Sequence, residues 1–199
     1  SSASAHQSEH TLIAAIIPVL YPSTIDEIIE YGLYGWAMSR FSGAYAGLKC
    51  ITDTLDLSGS IALPDIYRSY AHPEFEKPSG GLNIRYTPAP LELEALTVNY
   101  RIPAAQAFVR ANPLDRVVIE SPRRELGLVA AGKAYLDLRQ ALNDIGLNEE
   151  RCRELGIGLY KPALIWPLEP EAAQRFATGY KALLVVEEKR PVIEDQLAR

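Results

Sequence analysis

Apolar and polar positions follow two rhythms along this chain. The run "TLIAAIIPVLYPS", residues 11–23, is nearly unbroken in apolar residues up to Pro22, which predicts a buried strand. Behind it Ile25, Ile28, Ile29, Leu33, Trp36 and Ala37 recur at helical spacing, predicting a helix whose core face includes Trp36. Thr24 and Glu27 supply a T-x-x-E capping box and Gly43 a stop. "AYAGLKCIT" reads as a second strand, so residues 11–52 have the strand–helix–strand order of a parallel layer.

From about Leu57 to Pro90 five prolines and the Gly80-Gly81 pair replace this regularity. Proline fixes φ and removes a donor, which predicts an irregular linker lying across the surface. A helix follows over 91–110, interrupted near Pro103 and ended by Asn112-Pro113. Regular rhythm then returns. "RVVIE", "LGLVAAG", "IGLYKPALI" and "ALLVVEE" read as strands. "YLDLRQALNDIG" reads as a helix stopped by Gly146, and "NEERCRELG" as one capped by Asn148. "PEAAQRFATG" and "PVIEDQLAR" are helices opened by Pro170 and Pro191. Such alternation predicts an α/β fold, a three-layer α/β/α arrangement with a mostly parallel sheet and right-handed crossings.

The 199 residues are 48% hydrophobic and 23% charged, as in a globular chain able to bury a sizeable core. A net charge of −5, with no basic patch, argues against a nucleic-acid partner, which requires phosphates to be neutralised. Cys50 and Cys152 stand far apart without a C-x-x-C pair, the usage of a reduced, cytoplasmic chain. No apolar run approaches the ~20 residues of a membrane span, and the N-terminus lacks the regions of a signal peptide. The polar start SSASAHQS, without a methionine, suggests a piece of something longer.

Two stretches invite a chemical interpretation. "HQSEH", residues 6–10, has the H-x-x-E-H spacing of inverted zinc peptidases. Such a site needs a third protein ligand, and the only other histidine, His72, lies in the linker, where Glu74 and Glu76 also fall. Polar composition ahead of the first strand predicts a loop there rather than a helix, so a polar loop at a cleft competes with a zinc hydrolase. "GLVAAGKA", residues 127–134, fits G-x-x-x-x-G-K up to Ala134, where a phosphate loop needs Ser or Thr for magnesium. Its apolar middle reads as a buried strand, which leaves Gly132 and Lys133 at a strand-to-helix turn as an anion contact. "VVEEKR", residues 185–190, reads as a solvated charge cluster, and Trp166 packs in a core or at an interface.

The stretches "HQSEHTLIAAIIPVLYPSTIDEIIEYGLYGWAMSRFSG", "GLKCITD", "PSGGLNIR", "GKAYLDLRQAL", "GIGLYKPALIWPLEP" and "LLVVEEKRPVIEDQL" together resemble the thiamine-diphosphate-dependent indolepyruvate ferredoxin oxidoreductases of the 2-oxoacid:ferredoxin oxidoreductase superfamily. The resemblance implies an internal fragment. Residues 1–58 would close the thiamine pyrimidine-binding domain, 59–114 would be a linker and helix, and 115–199 a domain like the C-terminal domain of transketolase. It implies oxidative decarboxylation of an aryl or other 2-oxoacid with coenzyme A, giving acyl-CoA, CO₂ and reduced ferredoxin. Thiamine diphosphate, Mg²⁺ and iron–sulfur clusters would serve the complete enzyme, a homo-oligomer, with none held tightly by this stretch alone. His6, Ser8, Glu9 and His10 would line the substrate or cofactor cleft; the resemblance assigns no catalytic residue and no metal ligand here. A non-catalytic subunit-packing module is the alternative.

Overall fold

A computed structural model of the protein describes residues 7–63, 65–83 and 89–198. The N-terminal part comprises α1 (Glu9–Ala14), β1 (Val19–Leu20), α2 (Ile25–Ser42), β2 (Gly47–Leu48) and α3 (Thr52–Leu55). An irregular linker leads to α4 (Pro90–Leu96), a π-helical turn (Thr97–Arg101) and α5 (Ile102–Ala111). Then come β3 (Arg116–Ile119), β4 (Leu126–Ala130), α6 (Gly132–Asp144), α7 (Glu149–Leu155), β5 (Ile157–Lys161), β6 (Leu164–Trp166), α8 (Pro170–Ala177), β7 (Ala182–Val186) and α9 (Ile193–Leu197).

The strands form two small mixed sheets, where a mostly parallel sheet was expected. In the first, β1 lies between β2, parallel to it, and β6, antiparallel to it. In the second the order is β3-β5-β4-β7, with β4 parallel to β5 and β7 and β3 antiparallel to β5. Pro162 and Ala163 separate β5 from β6. Proline has no N–H to continue a ladder, so the chain leaves one sheet there and joins the other. β4 and β5 are almost wholly buried, as their continuous apolar runs require, whereas edge strand β7 exposes Leu183 and Leu184.

Gly127 and Gly158 face each other across β4 and β5. A Cβ on Gly158 would lie 1.8 Å from the Tyr180 hydroxyl, and one on Gly127 3.2 Å from that ring. The missing side chains therefore leave the groove in which Tyr180 lies, its ring tilted against Phe176 with centroids 5.0 Å apart.

One core cluster straddles both sheets through Val19, Tyr21, Val129, Tyr160, Ile165 and Phe176. A second joins Leu20 and Leu164 to Tyr31, Tyr34 and Met38 of α2 and Phe108 of α5. The linker is irregular as expected, but part of it is anchored. Tyr70 packs at 5.6 Å edge-on to Tyr34, and Ala71 exchanges hydrogen bonds with the Asn112 side chain.

Four sequence expectations are corrected. The first apolar run is not one strand: it divides into helix α1 and the two-residue β1, with Ile16 at φ 56° between them. Trp36 is not core but 68% exposed, because α2 buries the stripe Glu27, Tyr31, Tyr34, Met38 and Ser42, one side-step around the helix from the Ile positions. Thr24 makes no side-chain cap; Glu27 instead accepts the Ser23 N–H and pairs with Lys161. In "VVEEKR", Glu187 is not simply solvated but accepts the N–H groups of Val192, Ile193 and Glu194 at the start of α9. The expected interruption at Pro103 takes the form of the π turn just ahead of it.

Candidate functional site

The carboxyl ends of parallel strands are where open α/β sheets leave room for ligands. Here β2 ends at Leu48 and β7 at Val186, and a cleft of about 180 Å³ opens just beyond them. Its lining includes Ser8 and Glu9 from the start of α1, Lys49 and Cys50 from the β2–α3 turn, Asp53 from α3, and Glu188 beyond β7.

Glu9 is 4% exposed although its neighbours in sequence are polar. Its Oε1 accepts from the Lys49 ammonium, itself 10% exposed, and the pair satisfies one oxygen of a buried carboxylate. Lys49 also stands 4.0 Å above the Tyr21 ring. Two polar atoms of adjacent residues in α1, Glu9 Oε2 and His10 Nε2, are buried without a hydrogen-bond partner among the described residues. Buried polar atoms are ordinarily satisfied, so Glu9 Oε2 stands as an acceptor still open at the cleft wall. Burial raises the Tyr21 pKa, opposed by Lys49, so this hydroxyl stays protonated and can donate. Burial likewise raises the Cys50 thiol, which disfavours the nucleophilic thiolate. The wall can thus offer a fixed carboxylate oxygen to a ligand N–H or O–H. Its volume, below the usual 300 Å³ or so of drug-sized sites, admits a ring rather than a whole coenzyme.

Of the sequence candidates, Ser8 and Glu9 lie in the cleft wall and His10 is the next residue of the same helix, half-buried; His6 lies outside the described residues. The H-x-x-E-H interpretation depends on His6. Among the described residues no three His, Cys, Asp or Glu side chains converge as a metal site. Gly132 and Lys133 open α6 at the end of β4. The Tyr21 ring closes over Gly132, whose φ is +54°, and Lys133 is ion-paired with Asp137. The residues that sequence reasoning missed are Lys49, Tyr21 and Asp53. A lysine inside the otherwise apolar "AYAGLKCIT" was the available signal.

The described helices include none long and apolar enough to cross a membrane. Residues 115–199 match the family model described as the indolepyruvate ferredoxin oxidoreductase middle domain. Among curated proteins, the chain is 25% identical over 99% of its length to an indolepyruvate oxidoreductase subunit IorA of Methanothermobacter thermautotrophicus, covering 30% of that protein. It is 24% identical over 92% of its length to the IorA subunit of Pyrococcus horikoshii, covering 28% of it. The chain thus spans less than a third of the length of these relatives. Among solved structures it is similar to a 2-oxoglutarate:ferredoxin oxidoreductase from Magnetococcus marinus, with 16% identity and a TM-score of 0.40, over 78% of this chain and 27% of that one. Residues 115–199 thus match the middle domain of indolepyruvate ferredoxin oxidoreductases, and the chain along nearly its whole length is similar to indolepyruvate oxidoreductase IorA subunits.

Proposed function

We propose that this chain is the stretch of a thiamine-diphosphate-dependent 2-oxoacid:ferredoxin oxidoreductase that closes one wall of the cofactor and substrate cleft. The substrate is indolepyruvate or another aryl pyruvate, taken with coenzyme A and oxidised ferredoxin to the acyl-CoA, CO₂ and reduced ferredoxin. The observation that supports it is similarity to indolepyruvate oxidoreductase subunits along nearly the whole chain, both N-terminal and middle segments included.

When bound, thiamine diphosphate supplies a nucleophilic carbon and an electron sink for decarboxylation. The described residues suit its ring portion and not its diphosphate. The unpartnered Glu9 Oε2 offers an acceptor at ring scale. No convergent acidic cluster among the described residues would take Mg²⁺. Cys50 and Cys152, in the β2–α3 turn and in α7, offer no cluster ligation together. In this proposal, diphosphate and magnesium binding and electron export fall to the remainder of the enzyme. Within this wall Ser8 and Glu9 orient the ligand, Lys49 holds Glu9 in one position, and His10 holds or passes a proton. The enzyme works in the cytoplasm as a homo-oligomer.

The test is indolepyruvate- and CoA-dependent reduction of ferredoxin by the full-length protein, together with its partner subunits. Loss of activity on removal of thiamine diphosphate, and kcat/KM lowered in Glu9→Gln without loss of fold, are the expected results. Absence of activity on every aryl and alkyl 2-oxoacid tried would sink the proposal. A subunit-packing role for residues 115–199 is favoured by the exposed Leu183 and Leu184 on edge strand β7. It predicts that Leu184→Lys changes subunit assembly and leaves the intrinsic rate intact.

A further inference from the structure

A second, wider cleft of about 840 Å³ runs between α2 and the anchored part of the linker, away from the strand ends. Phe41 and Leu82 contribute apolar surface, Trp36 stands 68% exposed at its side, and Arg40, His72 and Lys77 line it. No Asp or Glu lines it, although acidic residues outnumber basic ones 25 to 20 in the chain. Arg40 and Lys77 form no ion pair with any described residue, whereas most of the chain's arginines are paired with carboxylates. Lys77 lies 6.0 Å from the Phe41 ring centre, and His72 meets the same ring edge-on at 5.7 Å.

Trp36 and Arg40 are four residues apart on α2, so they are neighbours on one helix face. An open indole offers a stacking face, and an adjacent unpaired guanidinium suits phosphate oxygens in a fork. Lys77 brings a second permanent cation from the linker side, so the cleft selects a polyanion that also carries a flat ring. Its volume falls within the range of small-molecule sites and exceeds what an aryl carboxylate alone would fill. We propose that this cleft binds a nucleotide, its base against Trp36 and its phosphates toward Arg40 and Lys77. The site is separate from the strand-end cleft, and the inference does not depend on the reaction assigned above.

The test is calorimetric titration of ADP into the full-length protein already saturated with thiamine diphosphate and coenzyme A, so that other sites are filled. ADP should bind and quench Trp36 fluorescence. Arg40→Glu and Lys77→Glu, both at exposed positions, should each raise the Kd at least about tenfold, and Trp36→Ala by about as much. Adenosine and indole-3-acetate should bind far more weakly than ADP. Circular dichroism of each variant checks that it is folded. No ADP binding in the millimolar range, an unchanged Kd in the Arg40→Glu/Lys77→Glu double variant, or indole-3-acetate binding as tightly as ADP would each overturn the proposal.

Discussion

Lys161 on β5 and Glu27 on α2 form an ion pair with side chains only 3% and 4% exposed, joining the middle-domain segment to the N-terminal helix. Glu27 also takes the Ser23 N–H at 2.8 Å, and Arg116 approaches it at 3.6 Å. The Lys161 ammonium stands 4.7 Å over the Tyr135 ring, and its pKa is drawn down by burial against the opposing pull of Glu27. Removing one partner of such a pair leaves an uncompensated buried charge, which costs about 3–5 kcal/mol. Lys161→Met is expected to destabilise the chain by about that much in urea unfolding. Adding Glu27→Leu should recover most of the loss. A double variant no more stable than Lys161→Met would contradict the charge-burial account.

Gly132 is a second sensitive point. Its φ of +54° lies in the left-handed region, and a Cβ there would meet the Tyr21 ring at 2.1 Å. Left-handed backbone alone costs a non-glycine residue about 1–3 kcal/mol, and the ring contact adds to it. Gly132→Ala should therefore destabilise by at least about 2 kcal/mol. Combining it with Tyr21→Ala should relieve the contact but not the backbone strain, so the second change should cost less in the Gly132→Ala background than alone.

Asp115 gives the chain a pH-dependent stability of predictable sign. Burial raises its carboxyl above the ordinary 3.8, with the Tyr160 hydroxyl and the Ala163 N–H donating to it and opposing the rise. The folded chain then keeps a proton that the unfolded chain has released. Its contribution is complete below the unfolded pKa and is lost as pH rises through the folded one. Relative to Asp115→Asn, the wild-type urea midpoint should fall on going from about pH 4 to 7. A difference that grows in favour of the wild type as pH rises would refute this assignment.

The two thiols should differ in reactivity. Cys152 is fully buried in α7, while Cys50 is half-buried at the strand-end cleft, and burial raises both pKa values. With an aromatic disulfide reagent, Cys50 should react slowly in the native chain and Cys152 only on unfolding. Cys50→Ser should abolish the native phase; a native phase that survives it would contradict the placement of Cys152.

Local signals were legible and distant ones were not. Gly43 in the left-handed region and the Asn148 side chain accepting the Arg151 N–H follow from short-range rules, and sequence placed both. The buried face of α2 was misjudged because Tyr31 and Tyr34 look polar in a pattern of letters. What buries Tyr34 is an edge-on contact with Phe108 and a hydrogen bond to the Asn112 carbonyl, 78 residues away. The burial of Glu9 was hidden for the same reason, since Lys49 lies 40 residues downstream. Polar composition alone predicted a loop where the ion pair allows a helix to begin inside the protein.

Strand β6 lies within the segment that matches the middle-domain model, yet its partner is β1, at the other end of the chain. The stretch of sequence that matches the module is therefore expected not to unfold as a unit of its own. Excised at residue 115, it would carry β6 without its ladder and Lys161 without Glu27. The chain should melt in one transition in which both segments are lost together, so the seam between them is a feature of ancestry and not of folding.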